Sequence, residues 1–213
     1  MSFLKRIFGS DGRGHHEIRP ENLGQHLRDL ERKANEAPLG TGWTFLNRAG
    51  DVCVKSGDIL KAVTYFGQAI DALLEDEQPE PARGVAKKLI RVHPQAVRTL
   101  CTLTWLDLAT RQPAAAVLSL GEYAKAASRA GKEDLAADQV YTMARFTKDK
   151  AFLQEAAEVL TELDADGYAE KVHDWMQAGG SDDARGEPEA LARFCMSAAV
   201  GSNVLKKAEG AMA

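Results

Sequence analysis

The stretch Leu46–Asp76, LNRAGDVCVKSGDILKAVTYFGQAIDALLED, holds two helical patterns joined at Ser56-Gly57-Asp58. Trp43, Leu46, Gly50, Cys53 and Val54 recur at helical spacing in the first, and Ile59, Ala62, Val63, Phe66, Ala69, Ile70, Leu73 and Leu74 form a wide apolar stripe in the second. Gly57 stops the first helix, because glycine enters a left-handed cap without the steric cost of a Cβ. The return helix follows at once. Small residues sit on the apolar faces at Gly50, Ala62 and Ala69, with Phe66 between the last two. Small side chains let helix axes approach closely, so the stretch predicts an antiparallel pair nested at these positions, with Phe66 filling the gap between pairs.

Outward from this pair, the chain continues in helices. Leu23, Leu27, Leu30 and Ala34 predict a surface helix over Pro20–Asn35, ended by Pro38-Leu39-Gly40-Thr41-Gly42. Downstream, Pro79 and Pro81 are expected to end the stripe of Ile59–Leu74, with a shorter helix over Ala82–Val92 closed by Pro94. Val97, Leu100, Cys101, Thr104, Trp105 and Leu108 share one stripe, yet Leu103 and Leu106 face elsewhere, so this helix should be central. Pro113 suits a first turn before Ala116, Val117, Leu120, Tyr123, Ala124 and Ala127. Further helical patterns cover Glu133–Phe146, Lys150–Leu163 and Tyr168–Met176, and no run alternates as a strand would. Gly179–Gly186 reads as a polar linker, after which Leu191, Phe194, Cys195 and Ala198 mark a last helix. The predicted organisation is an N-terminal segment (1–18), a helical domain (19–178), a linker (179–187) and a C-terminal helix (188–213).

Composition narrows the function. A formal net charge of −4 over 213 residues carries no basic footprint, so no nucleic-acid partner is expected. Cys53, Cys101 and Cys195 are odd in number and set in apolar runs, which fits buried thiols of the cytoplasm better than a disulfide framework. No stretch has the roughly 20 apolar residues of a membrane span. His15-His16-Glu17 lacks the same-face spacing of a helical metal site, and Glu155, Glu158 and Glu162 form a carboxylate row with no facing histidine. Cys101 lies among apolar neighbours with no base beside it, and Gly12-Arg13-Gly14 lacks the ending of a phosphate loop. No catalytic residue, metal or cofactor is therefore expected, and the chain reads as a non-enzyme.

Taken together, Gly50, Gly57, Asp58, Ala62, Phe66 and Ala69 resemble the tetratricopeptide repeat: a small residue in the first helix, a Gly-polar turn, then Ala, an aromatic and Ala in the second. Leu46 stands where that family has Trp, and Cys53 where it has Tyr. The 34 positions from Ala82 to Ala116 equal one repeat, and a third unit keeps Ala116 but has Thr104, Arg111-Gln112 and Leu120 in place of the small residue, the turn pair and the aromatic. The resemblance implies an all-α α-solenoid of antiparallel helix pairs whose first helices line a concave groove for a partner protein's helix or extended segment. It further implies groove positions at Asn47, Asp51, Val54 and Lys55, and at Arg98, Cys101, Trp105 and Leu108. Asp51 would repel a terminal carboxylate, so the implied partner is an amphipathic helix or hydrophobic peptide. The alternative expectation rests on the tip MSFLKRIF, where Phe3, Leu4, Ile7 and Phe8 give an apolar surface and Lys5 and Arg6 a charged one: a tether to a membrane surface or to a partner's groove.

Overall fold

The computed structural model describes residues 22–185, so the MSFLKRIF tip and the expected helix of 188–213 lie outside the described residues. Among those described there are nine α-helices and no strand. They are α1 (Leu23–Glu36), α2 (Trp43–Ser56), α3 (Ile59–Glu75), α4 (Pro79–Val92), α5 (Val97–Ala109), α6 (Pro113–Arg129), α7 (Glu133–Arg145), α8 (Lys150–Glu162) and α9 (Asp166–Ala178). The fold is all-α, an array of consecutive helices reversed by short turns, as expected of an α-solenoid of antiparallel pairs.

Five of the turns share one construction. A residue with positive φ follows the helix: Gly57 (82°), Glu77 (53°), Arg111 (56°), Gly131 (63°) or Asp164 (57°). The N–H of the next residue then donates back to the carbonyl five positions before it, in the Schellman arrangement: Asp58 to Cys53, Gln78 to Leu73, Gln112 to Asp107, Lys132 to Ala127 and Ala165 to Leu160, at 2.7–3.0 Å. That same residue's carbonyl accepts from the alanine four positions on, which opens the following helix. These alanines, Ala62, Ala82, Ala116, Ala136 and Ala169, all stand fifth after the positive-φ residue and are all buried. A methyl side chain at that point lets the outgoing helix lie against the incoming one.

The corners recur every 54 positions from Gly57 to Arg111 and from Glu77 to Gly131, and 53 from Arg111 to Asp164. That period spans three helices, because the α4–α5 connection at His93–Ala96 and the α7–α8 connection at Phe146–Asp149 are built differently. The 34 positions from Ala82 to Ala116 separate corners on either side of such a connection, and they alternate with a shorter interval of 20, so the full period is their sum. Pro79 and Pro81 also differ from expectation. They sit in the first turn of α4, where a missing N–H costs nothing, and so begin a helix instead of ending one. The expected linker is structured through Arg185: Gly179 takes φ 80°, Gly180 N–H donates to the Trp175 carbonyl, and Ser181 and Ala184 are buried.

The described residues divide into two compact units on either side of the Ala69–Ile70 boundary. In the first, α1 packs on α2 through Leu27 and Leu30, and Gly42 lies so close to the Ala34 carbonyl that a side chain would collide with it. Gly50 meets the Phe66 ring, and both are buried. Tyr65 Oη donates to Glu31 Oε1 at 2.6 Å, and burial together with this bond pushes its phenol above the usual tyrosine range. In the second unit the last three helices each touch the two before them. Helix α7 lies against α5 and α6, α8 against α6 and α7, and α9 against α7 and α8. Helix α5 is central as expected, with Leu100, Leu103, Trp105 and Leu106 buried around its circumference. The same helix buries Asp107, which is held by the Arg83 guanidinium of α4 and by Ser119 Oγ of α6 at 3.1 Å.

The Gly50–Phe66 contact is directly testable. A Cβ on Gly50 would fall within 3.0 Å of three Phe66 ring atoms, whereas one on Gly67 of α3 meets nothing within 4 Å. Gly50→Ala should destabilise by about 1–3 kcal/mol in denaturant unfolding, while Gly67→Ala should stabilise by roughly 0.5–1 kcal/mol through helix propensity alone. Equal effects of the two substitutions would contradict this packing.

Candidate partner-binding surface

Helix α9 presents two different faces. Tyr168, Lys171 and Trp175 are spaced three and four apart, which puts them on one side of the helix. That side meets Asp138 and Tyr141, likewise one turn apart on α7. The Tyr141 and Tyr168 rings stack with centroids 4.2 Å apart and planes inclined by 12°, and Trp175 stacks on the same Tyr141 at 5.1 Å and 26°. Lys171 Nζ stands 5.7 Å from the Tyr141 ring centroid, within range of a cation–π attraction. Tyr168 Oη donates to Asp138 Oδ1 at 3.0 Å, and this hydrogen bond raises the Tyr168 phenol above its ordinary pKa.

All three rings are only half-buried, and the flanking Lys171 and Asp138 are exposed. The result is a rigid aromatic strip bounded by one cation and one carboxylate. Such a strip offers large apolar area on side chains already held in place, so a partner that covers it orders few new rotamers. The sequence alone did not flag it, because Tyr141 lies on another helix and meets Tyr168 and Trp175 only through the α7/α9 register. The visible signal was Tyr168-x-x-Lys171-x-x-x-Trp175, spaced three and four apart on a helix whose other face is acidic.

The opposite face of α9 forms an open groove of about 660 Å³ with α8. Ala157 and Ala169 make its floor, and Glu158, Asp166, Glu170 and Asp174 stand at its rim. Among the described residues no group of three His, Cys, Asp or Glu side chains converges as a metal site would. The buried thiols are poor nucleophiles: burial pushes Cys101 up to about 12 despite a hydrogen bond with Tyr123 that opposes it, and burial also raises Cys53.

The groove positions implied by the tetratricopeptide resemblance are dispersed. On α2, in the first unit, Asn47 and Asp51 are half-buried and Lys55 is exposed, but Val54 is buried in the core. On α5, in the second, Arg98 is ion-paired to Asp71 and Leu108 is half-buried, while Cys101 and Trp105 are buried. Trp105 is 1% exposed, and its Nε1 donates to Gln139 Oε1 of α7 at 3.0 Å. The expectation that Val54, Cys101 and Trp105 line a groove is therefore corrected. Helix α5 is enclosed over most of its circumference, so Cys101 and Trp105 hold helices together and face no open surface.

Trp105→Ala should cost about 3–5 kcal/mol of stability, as for other buried large-to-small changes, with a matching loss in the denaturation midpoint. A variant as stable as the parent would return Trp105 to the surface. No family model matches the chain, and neither the curated proteins nor the solved structures compared with it include a match.

Proposed function

We propose that the chain is a non-enzymatic adaptor that holds a partner protein, and that the half-exposed stack of Tyr141, Tyr168 and Trp175 is its contact surface. The stack is the observation that carries the reading. Aromatic side chains dominate binding energy where they are rigid and partly desolvated before the partner arrives, and here two tyrosines and a tryptophan meet both conditions. Asp138 and Lys171 add charges of both signs at the edge, which suits an amphipathic helix or an extended peptide with an apolar anchor and polar flanks. The tetratricopeptide resemblance supports the same class of role, since helical arrays of that type bind protein segments.

The net charge argues against nucleic acid as the partner, and the buried free thiols Cys53 and Cys101 fit a reducing compartment such as the cytoplasm. No described helix is long and apolar enough to cross a membrane. Affinity capture from the native cell tests the reading. Trp175→Ala should lower capture of the dominant partner by about tenfold or more, equivalent to a hot-spot loss above 1.4 kcal/mol, while Leu118→Ala on the exposed face of α6 leaves it unchanged. Equal capture by Trp175→Ala, with its helical circular dichroism intact, would refute the assignment.

A further inference from the structure

Helix α9 rests on small core residues. Its buried side chains are Ala169 and Val172, and it packs chiefly on α8 while touching α7 along a narrower seam. A methyl and an isopropyl group interlock weakly, so apolar packing alone sets the register of α9 on α7 loosely. The stack of Tyr168 and Trp175 on Tyr141 needs that register, since a slip of one residue carries the rings about 1.5 Å past each other. The contacts that fix it lie on one stripe of α7, where Asp138, Tyr141 and Arg145 are spaced three and four apart. Asp138 accepts from Tyr168 Oη at one end of the stack, and Arg145 meets the turn that follows α9 at the other.

That turn grips the C-terminal end of α7. Ser181 is buried, and its hydroxyl donates to the Arg145 carbonyl, one of those that α7 leaves open at its end. The same oxygen accepts from Ala184 N–H at 3.2 Å, which folds the turn back on itself. Arg145 Nε and Nη2 both donate to Asp183 Oδ2, at 3.1 and 2.6 Å. Gly180, at φ 114°, lies so near the α7–α8 connection that a Cβ would fall 2.8 Å from Lys148 Cγ. The turn begins at the stacked tryptophan itself, because the Trp175 carbonyl accepts the N–H groups of Gly179 and Gly180. One short segment thus joins the backbone of Trp175 to the end of the helix that carries Tyr141.

We propose that Gly180, Ser181 and Asp183 are positioning residues of the aromatic surface: the turn they form, fastened on the end of α7, sets the register in which Tyr168 and Trp175 stack on Tyr141. They act through the placement of α9, as the supporting shell of a preorganised site does. The turn's role in recognition rests on the strip being the partner's contact, whereas the register itself is measurable with no partner present.

Nuclear Overhauser contacts between the Tyr141 and Trp175 rings in the full chain read the register, with Tyr141→Phe assigning the tyrosine signals. Gly180→Ala should lose these contacts while helical circular dichroism is kept. Ser181→Ala combined with Asp183→Asn should lose them too, with no backbone strain introduced, and Asp183→Glu alone should retain them. Gly57→Ala in the first unit, placed at φ 82°, is the control for strain at a left-handed glycine and should leave the ring contacts unchanged. Ring contacts retained in the Ser181→Ala/Asp183→Asn variant would overturn the proposal, whatever Gly180→Ala does. Where the contacts are lost, partner capture should fall by about tenfold, as for Trp175→Ala. Lost ring contacts with full capture would uphold the turn's hold on the register and refute the strip as the partner's contact.

Discussion

The array depends on one turn. A helix ends, a single residue takes positive φ, the next residue's N–H reaches back to cap the spent carbonyls, and the same residue's carbonyl opens the following helix. Two residues thus reverse the chain and supply donors to carbonyls that the ending helix leaves open. The geometry brings the new helix so near the old one that the fifth residue has room for a methyl group and little more. This is why Ala62, Ala82, Ala116, Ala136 and Ala169 are alike when the sequences around them are not.

From that turn the packing of the second unit follows. Helices reversed so tightly share neighbours, and α7, α8 and α9 each touch the preceding two. An inner helix such as α5 is then enclosed, and even its polar groups are matched internally, with Asp107 held by Arg83 and Ser119. Removing one partner of such a buried pair strands a charge, so the pair fixes how α4, α5 and α6 meet more than it adds net stability. The outer helix α9 differs because it has one packed side and one open side. Its aromatic side is stacked on α7 yet half-exposed, and its other side forms an open, alanine-floored groove with α8.

Much of this was legible in the sequence. The close approach at Gly50, the stop at Gly57 and the enclosure of α5 all follow from residue size and spacing, whereas Phe66, expected between pairs, packs on Gly50 within its own pair. The period was not, for a physical reason: Glu77, Arg111 and Asp164 adopt the left-handed conformation that a reader assigns to glycine, so three of five corners carried no glycine to mark them. Pro79 and Pro81 misled in a similar way, since proline ends a helix or begins one according to its position in the turn. Trp105 was placed in a groove by analogy, with core packing as the alternative because its helix is apolar on several sides, and the enclosure of α5 decides for the core. The Tyr141–Tyr168–Trp175 strip needed the register of two helices, which spacing within either one does not contain.

The left-handed corner at Arg111 gives the most direct test. A residue with a Cβ is strained at φ 56°, and a β-branched one more so. Denaturant unfolding of Arg111→Gly should therefore show a gain of up to about 1 kcal/mol, and Arg111→Val a loss of about 1–2 kcal/mol. If valine were tolerated as well as glycine, the turn would not be held in this conformation, and the account of the array built on it would fail.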